Sequence, residues 1–399
     1  MLVESEISKL QKVILHKPRL ALKHLTPNNC QSLFFNDVLW VDKAQEEHDY
    51  FEIILRHNGC EVYLLHDLLS DILEIPEARN WLLSKRIQHL YFHPQIRDDL
   101  LDFFDQHNHD EVAAFLLEGL TFKESGFSKK NLSTYTMRGY DFILPPLPNH
   151  LFPRDASCWI GRGVTINSMY FRSRRAETLN LIAIYKFHPI FKREIIPLWY
   201  GDDDIPLPPL SGGDILVLNE KTILIGLSRQ TSAEAIEILA QSLFAAHAKQ
   251  QIIVVNIPKI YATHHLGALL SMVNEDTFAT AFSKHSPLRA WRLRPNESSS
   301  LLCIESLPDF YQALAEALQV PKLNLISVSG DYFEVQREQW MDSTNLLTIA
   351  PGEVIAFDRN VIMNRKLRKA GIVVHEIPSS ELSRARGGVR SLTCPLLRL

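Results

Sequence analysis

The chain alternates between short apolar runs and helical segments, and this alternation limits the folds that it can adopt. An apolar run at Lys12–Pro18 ends at a proline, the segment Asp42–Asn58 carries apolar residues at helical spacing, and Glu61–Leu65 has the pattern of a second strand. Strands that alternate with helices in this way favour an α/β fold. No glycine-rich phosphate-binding loop accompanies them. Periodicity alone therefore predicts an α/β fold and nothing more specific.

The alternation is interrupted once, between residues 68 and 128, where the apolar spacing is helical only. It resumes after the proline-rich stretch Pro145–Pro148. We therefore expect an inserted helical domain at 68–128 and a main α/β domain formed by 1–67 and 129–399. The later predicted elements are strands at Ile215–Leu218, Thr222–Gly226, Gln251–Val255, Leu323–Val328, Val354–Phe357 and Ile372–His375, and helices at Ser232–His247, Asp309–Leu318 and Asn364–Ala370.

Charge and cysteine content exclude several functional classes. Lys and Arg number 42 against 46 Asp and Glu, the two signs are mixed along the chain, and the net charge is -4, which argues against a nucleic-acid partner. No apolar run approaches the roughly 20 residues that span a bilayer, and the start of the sequence lacks a leader pattern, so we expect no membrane association and a cytoplasmic location. The five cysteines are widely spaced without a CxxC pair, which favours reduced thiols over disulfides or a metal site.

Four short motifs occur in order along almost the whole chain, between Ser5 and Cys394. They are NHLFPRDASCW at Asn149–Trp159, SGGD at Ser211–Asp214, THHLG at Thr263–Gly267 and RARGGVRSLTCP at Arg384–Pro395. Together they resemble the motifs of the arginine deiminases. The resemblance implies a five-fold pseudosymmetric α/β propeller of ββαβ modules around a central pocket. It also implies cofactor-free hydrolysis of arginine to citrulline and ammonia, in which a cysteine thiolate attacks the guanidinium carbon.

The same resemblance assigns roles to individual residues. Asp155 matches the aspartate that binds the substrate guanidinium, and His265 matches the catalytic histidine, with His264 adjacent to it in sequence. Arg174 matches the arginine that binds the substrate α-carboxylate, a group that a guanidinium can contact through two parallel hydrogen bonds. Residues matched to substrate binding are Asn149 and Arg174, at the amino-acid head of the substrate, Arg386, on the loop that closes the site, and the nearby Asp214.

Four positions depart from the family pattern, and each is one that the reaction uses. Ser391 replaces the nucleophilic cysteine, Ser211 replaces a glutamate that contacts the guanidinium, Gly267 replaces an aspartate, and Gln230 replaces an arginine that binds the substrate carboxylate. Serine is almost wholly protonated at neutral pH and is a weaker nucleophile than cysteine. The joint loss favours a protein that has kept the fold and lost the chemistry.

Two functions remain open from the sequence. The first is a catalytically degenerate protein that binds a small guanidino or amino-acid-like ligand, forms a homo-oligomer, or assembles with an intact paralogue. The second is an active hydrolase that uses Ser391, or Cys394 three residues further on. A shift of three residues moves a thiol by several Å, which near-attack geometry does not tolerate.

Overall fold

The polypeptide forms repeated units of two strands, a helix and a third strand in the computed structural model. The structure describes residues 1–88, 90, 94–192, 195–201, 207–258, 265–282, 288–296 and 301–399. Thr263 and His264 of the THHLG motif lie outside the described residues.

The described strands are β1 (Leu10–Leu15), β2 (Glu61–Leu64), β3 (Leu120–Thr121), β4 (Phe142–Leu144), β5 (Ser157–Ile160), β6 (Gly163–Ile166), β7 (Leu198–Tyr200), β8 (Ile215–Val217), β9 (Thr222–Leu227), β10 (Gln251–Asn256), β11 (Leu270–Met272), β12 (Thr277–Thr280), β13 (Ala290–Pro295), β14 (Leu302–Leu307), β15 (Asn324–Ser327), β16 (Leu347–Ala350), β17 (Glu353–Phe357), β18 (Val373–Ile377) and β19 (Cys394–Arg398).

The described α-helices are α1 (Leu20–Lys23), α2 (Val41–His57), α3 (Leu65–Leu73), α4 (Pro76–Gln88), α5 (Pro94–Asp105), α6 (His109–Glu118), α7 (Phe122–Ser125), α8 (Leu132–Thr136), α9 (Pro153–Ala156), α10 (Arg175–Phe187), α11 (Ala233–Ala245), α12 (Phe310–Leu318), α13 (Tyr332–Trp340) and α14 (Val361–Lys369). Short 3-10 turns cover Pro148–Leu151, Arg172–Arg174, Gly212–Asp214, Leu266–Ala268 and Leu382–Ala385.

Five sheets repeat one pattern, in which the first two strands pair antiparallel and the second and third pair parallel across a helix. The modules are β19-β1-α2-β2, β5-β6-α10-β7, β8-β9-α11-β10, β11-β12-α12-β15 and β16-β17-α14-β18. The parallel pair requires a crossover, and the amphipathic helix that provides it buries one face on the sheet. In α2 that face includes Ala44, Phe51 and Leu55. The predicted α/β fold with ββαβ modules is confirmed, and its arrangement is that of the α/β propeller.

The first module is completed by strands from opposite parts of the sequence. β19 pairs antiparallel with β1, with Leu10 opposite Arg398 and Ile14 opposite Cys394. The segment before β1 adds bridges from Leu2 to Leu397 and from Val3 to Gly161, which connect the first and second modules. This closure fixes the position of the loop 386–393, which directly precedes β19.

The segment 68–128, predicted to be helical throughout, contains most of α3, the helices α4 to α7 and also the two-residue strand β3, so the helix-only prediction is wrong at Leu120–Thr121. The segment packs on the α/β modules. α3 and α4 both contact α10 of the second module. Buried leucines of these helices, such as Leu69, Leu82 and Leu116, belong to the same apolar cluster as Trp159 of β5 and Ile223 of β9. A separate helical domain at 68–128 stays a prediction.

Two further features complete the architecture. β13 and β14 form a hairpin that extends the third sheet to five strands, an addition that the sequence patterns did not indicate. Within the described ranges, no helix has both the length and the apolar composition that crossing a bilayer requires.

Candidate functional site

A small cavity lies where the loops of several modules meet, and it collects nearly all of the residues singled out from the sequence. Its volume is about 20 Å³, enough for about one water molecule. A bound amino acid therefore requires the surrounding side chains to move apart. The cavity is lined by Phe34, Asn36, Asn149, Phe152, Asp155, Arg174, Gln230, His265, Ala385, Arg386, Gly387 and Ser391.

Asp155 lies on α9, a single helical turn that begins at Pro153, where the fixed φ of proline suits the first helical position. Its side chain is buried, and each carboxylate oxygen has a protein partner. Arg174 donates from Nη1 to Oδ2 at 2.7 Å, and the Ser211 hydroxyl donates to Oδ1 at 3.3 Å. Burial alone would raise the pKa of Asp155, but Arg174 and His265 together hold it below its usual value. Asp155 is therefore an ionised carboxylate that is already neutralised from within the protein.

Arg174 is bound on several sides and is almost fully buried. Besides Asp155 it contacts Glu177 through Nε at 3.0 Å and through Nη2 at 2.9 Å, and Nη2 also donates to the backbone carbonyls of Asn149 and Phe152 at 3.2 and 3.4 Å. A guanidinium has five N–H groups, so these contacts leave at most one of them for a ligand. The role of Arg174 as a carboxylate clamp stays a prediction.

Glu177 was not anticipated from the sequence. It lies three residues after Arg174 in the first turn of α10, and such a spacing on one helix face is a recognisable ion-pair signal. The signal is weak in isolation, because most such pairs are exposed, whereas both of these side chains are buried.

His265 precedes the 3-10 turn at Leu266–Ala268 and is buried, and its Nδ1 has no hydrogen-bond partner among the described residues. Burial lowers the pKa of His265 to about 4; Asp155 opposes this shift, and Arg390 and Arg174 add to it. The imidazole is therefore neutral at pH 7. Because Gly267 has no side chain, no carboxylate at that position orients the ring.

Ser391 is held by Asn345, which precedes β16. The Asn345 amide donates from Nδ2 to the Ser391 hydroxyl at 3.0 Å, and the Ser391 backbone N–H donates to Asn345 Oδ1 at 3.2 Å. In the described structure no hydrogen bond joins the Ser391 hydroxyl to His265, although both residues line the cavity. Asn345 was missed from the sequence because it lies 46 residues before its partner and belongs to no recognised motif.

Arg386 and the two following glycines form the part of the loop that covers the cavity. Arg386 adopts a left-handed backbone with φ of 59°, and its guanidinium carbon lies 3.7 Å from the centroid of the Trp340 ring. A side chain at Gly387 would meet the Phe152 ring, and one at Gly388 would meet Asn345. The glycines therefore permit close packing of this loop on its surroundings. Trp340 lies on α13 and was not identified from the sequence.

Asp214, predicted to bind the substrate, does not line the cavity. Its Oδ2 accepts hydrogen bonds from the hydroxyls of Ser228 and Thr231 at 2.7 and 2.6 Å, and its Oδ1 accepts one from the backbone N–H of Leu266 at 2.8 Å. Burial raises the pKa of Asp214 to about 7. Asp214 thus connects the loop that carries Gln230 to the turn that follows His265, and it contributes to the site through these loops.

Cys394 lies outside the cavity, at the start of β19. Its Sγ is 3.5 Å from the Ser157 carbonyl, and burial raises the pKa of the thiol. A buried thiol of this kind is a poor nucleophile. Cys394 is therefore not positioned to act as a nucleophile in this cavity.

One group of described side chains has metal-ligand chemistry, and it lies on α2, away from the cavity. Ligand atoms of His48, Asp49 and Glu52 lie within 4.8 Å of one another. Lys17 pairs with Asp49 at 2.5 Å, and Arg56 pairs with Glu52 at 2.8 Å. These internal cations already neutralise both carboxylates.

Comparison with known families gives a match over nearly the whole chain. The family model described as arginine deiminase matches residues 31–398. This range contains all of the residues that line the cavity.

Comparison with solved structures gives the same fold at low sequence identity. A Cys-to-Ser variant of DDAH from Pseudomonas aeruginosa, complexed with citrulline, is 15% identical, with a TM-score of 0.54 over 97% of this chain and 100% of that chain. SxtG, an amidinotransferase from Microseira wollei, is 14% identical, with a TM-score of 0.54 over 100% of this chain and 97% of that chain. The N-terminal domain of ArgZ, an arginine dihydrolase from cyanobacteria, is 11% identical, with a TM-score of 0.54 over 97% of each chain.

Proposed function

Since this chain belongs to the arginine deiminase family, we propose that it is a member that has kept the ligand-binding architecture and lost deimination. It acts by binding, either of a small amino-acid-like ligand other than arginine or of an intact paralogue or second copy of itself. The internal neutralisation of Asp155 by Arg174 supports this proposal most directly.

The state of Asp155 opposes arginine binding. A guanidinium that leaves water costs several kcal/mol unless a carboxylate pairs with it. Asp155 is the carboxylate that lines the cavity beside His265, and Arg174 already occupies one of its oxygens at 2.7 Å. A substrate cation would have to displace an internal one that is itself bonded to Glu177. The gain from such an exchange is small, so we expect weak arginine binding or none.

The surroundings of Ser391 oppose turnover. Its hydroxyl accepts a hydrogen bond from Asn345 and has no described bond to His265. Loss of the nucleophile from a comparable catalytic unit reduces turnover on the order of 10⁶-fold. Asp155 and His265 remain in place, but neither can act as the attacking group in the family reaction.

The cavity lining favours a ligand without a guanidinium. Asn36, Asn149 and Gln230 line the cavity together with the neutral imidazole of His265. The amides of Asn149 and Asn36 also donate to the backbone carbonyls of Leu33 and Ala385. Amides both donate and accept hydrogen bonds, which suits a neutral amide or amino-acid-like group better than a cation. This supports binding of such a ligand as the function of the pocket.

The proposal is tested by citrulline release from arginine at high protein concentration, together with calorimetric titration of arginine and citrulline. We expect no citrulline above background, and affinity for arginine that is millimolar or absent. Citrulline should bind no more weakly than arginine. An ordinary enzyme turns over roughly 10 times per second. A rate within a hundredfold of this value would contradict the proposal, and so would micromolar binding of arginine.

The alternative is an active hydrolase that converts arginine to citrulline, and family membership favours it. Such activity would have to come from Ser391, because Cys394 is buried outside the cavity. If citrulline is released, Ser391→Ala should abolish it and Cys394→Ala should leave the rate unchanged. The reverse result would show that the loop 386–393 rearranges during turnover.

A further inference from the structure

Arg390, the residue before Ser391, has a buried guanidinium that points away from the loop and into the protein. It donates from Nε to Glu6 Oε2 at 3.2 Å and from Nη2 to Glu6 Oε1 at 3.0 Å. Nη2 also donates to the carbonyl of Ile215 at 2.6 Å. Arg390 is only 1% exposed and Glu6 6% exposed. This two-point contact with a carboxylate in a buried place is strongly directional.

Glu6 connects the Ser391 loop to the turn that carries Asp155. Its Oε1 lies 3.4 Å from Nη1 of Arg154, the residue immediately before Asp155. Arg154 in turn donates from Nε to the backbone carbonyl of Arg390 at 3.0 Å. Two buried cations therefore share one carboxylate, and without it both would be uncompensated.

Arg390 also fills the space beside Gly267. A Cβ atom added to Gly267 would lie 2.8 Å from Arg390 Nη1, 3.1 Å from the Gly213 carbonyl oxygen and 3.3 Å from His265 Nδ1, so Arg390 is its nearest neighbour. Arg390 cannot swing away freely, because Glu6 and the Ile215 carbonyl hold its other nitrogens. The glycine at 267 and the arginine at 390 thus fit each other as a pair.

We propose that Arg390, with Glu6 as its counter-ion, is a positioning residue of this site. It fixes the Ser391 loop against the Asp155 turn and occupies the volume that any side chain at position 267 would need. The arrangement is independent of turnover, so its test remains valid whichever result the citrulline assay gives.

The first experiment measures coupling between positions 267 and 390. Gly267→Ala is made in the wild-type and in the Arg390→Met background, and the unfolding equilibrium constant is obtained from urea titration. In the wild type the added methyl group meets the fixed guanidinium. Gly267→Ala should therefore raise the unfolding equilibrium constant by a factor at least ten times larger in the wild type than in the Arg390→Met background. Gly139→Ala is the matched control, because a Cβ atom at this position would have its nearest neighbour 3.5 Å away on Lys123. It should change the unfolding equilibrium constant by the same factor in the wild-type and Arg390→Met backgrounds. Equal costs for Gly267→Ala would overturn the pairing.

The second experiment measures how firmly the loop is held. Hydrogen exchange of the backbone amides in 387–392 should be at least tenfold faster in Glu6→Gln than in the wild type. Glu4→Gln, on the same segment, has no described bond to Arg154 or Arg390 and should leave exchange within twofold. Unchanged exchange in Glu6→Gln would overturn the role of Glu6.

A third readout distinguishes positioning from general stabilisation. Arg390→Met removes a cation near His265, so the pKa of His265 measured by NMR titration should rise. If Arg390→Met does not fold, Arg390→Lys is used, which keeps the charge but cannot make the two-point contact. Faster loop exchange in Arg390→Lys supports the proposal, and exchange equal to the wild type contradicts it.

Discussion

The ion pair between Asp155 and Arg174 determines what the cavity can hold. Both side chains come from motifs that the sequence marks for substrate binding, yet in the structure each binds the other at 2.7 Å. Glu177 makes the arrangement a buried triad with one cation between two carboxylates. Burial raises the pKa of Glu177 to about 7, so the ionised Asp155 is the main partner of Arg174, and a cationic ligand would have to compete with Arg174 for it.

Replacing Asp155 by Asn tests this triad. Breaking a buried ion pair lowers the free energy of unfolding by about 3–5 kcal/mol. Because Arg174 still contacts Glu177 in this variant, we expect a loss near the lower end of that range. The free energy of unfolding is measured by urea titration. Asp141→Asn removes the exposed pair with Arg138 and should cost less than about 1 kcal/mol. Equal losses for the two variants would contradict a buried, charge-paired Asp155.

Restoring the nucleophile alone should not restore the reaction. Ser391→Cys supplies a thiol, but no free carboxylate holds a guanidinium in front of it, so citrulline release should stay at background. Adding Ser211→Glu and Gly267→Asp supplies two carboxylates, and Arg390→Met in the same variant makes room for the side chain at position 267. This variant should give detectable citrulline, with effects far from additive because these groups act as a unit. Gln230→Arg should then mainly lower KM through binding of the substrate carboxylate.

Two results would contradict this account of the repair. Strong activity from Ser391→Cys alone would show that Arg174 releases Asp155 when substrate binds. A folded but inactive variant that carries all of these changes would show that further side chains have to change as well.

At the residue scale, the sequence predicted the members of the cavity better than their partners. Asn149, Asp155, His265 and Ser391 follow from short motifs, and the structure brings them to one cavity. The partners are set by the tertiary fold instead: Glu6 lies 384 residues from Arg390 in sequence. Neither spacing nor residue type identifies such a contact before the chain is folded.

At the scale of single elements, buried histidines lie on α2 and just after β1. His48 of α2 is fully buried, and neither ring nitrogen has a described partner. His16, just after β1, lies 5.7 Å from His150 between ring centroids. The approximate positions of the strand and helix were predicted from the spacing of apolar residues. The burial of these histidines was not, because histidine is neither clearly apolar nor clearly polar and adds no periodic signal.

These histidines should make stability depend on pH. Burial lowers the pKa of His48 to about 4, with Lys17 adding to the shift and Asp49 opposing it. Because this lies below the ordinary value of about 6.5, protons favour the unfolded chain, and stability is lost as pH falls from 6.5 towards 4.

The measurement is the difference in unfolding free energy between the wild type and His48→Gln. Between pH 6.5 and 5 this difference should change by about 2 kcal/mol in favour of the variant. The exposed His57→Gln serves as the control and should follow the wild type. A constant difference for His48→Gln would mean that His48 is protonated in the folded protein or accessible to water.

At the scale of the whole molecule, one apolar cluster connects the helices α3–α6 with the second and third modules. Leu82 of α4 is fully buried in that cluster together with strand residues such as Ile160 and Ile225. The change from alternating to helical pattern could be read from the sequence, but the surface on which these helices pack could not. Shared packing of this kind couples the stability of the two parts.

Unfolding should therefore be a single transition that includes the helical segment. Leu82→Ala leaves a cavity and should cost about 2–5 kcal/mol, shifting far-ultraviolet circular dichroism and tryptophan fluorescence by the same amount. Leu132→Ala, at a site that is 80% exposed, should have little effect. Two separate transitions, with only one moved by Leu82→Ala, would show instead that 68–128 unfolds as an independent domain.

The pairing of β1 with β19 also determines when the site can form during synthesis. β1 is made well before its antiparallel partner β19, because Leu10 lies opposite Arg398 and Ile14 opposite Cys394. Until β19 leaves the ribosome, β1 has one open edge, and such edges favour association between chains. The loop with Ser391 is fixed in the same late step. A nascent chain stalled before β19 should therefore depend on chaperones, and its pocket should stay open until β19 has paired with β1.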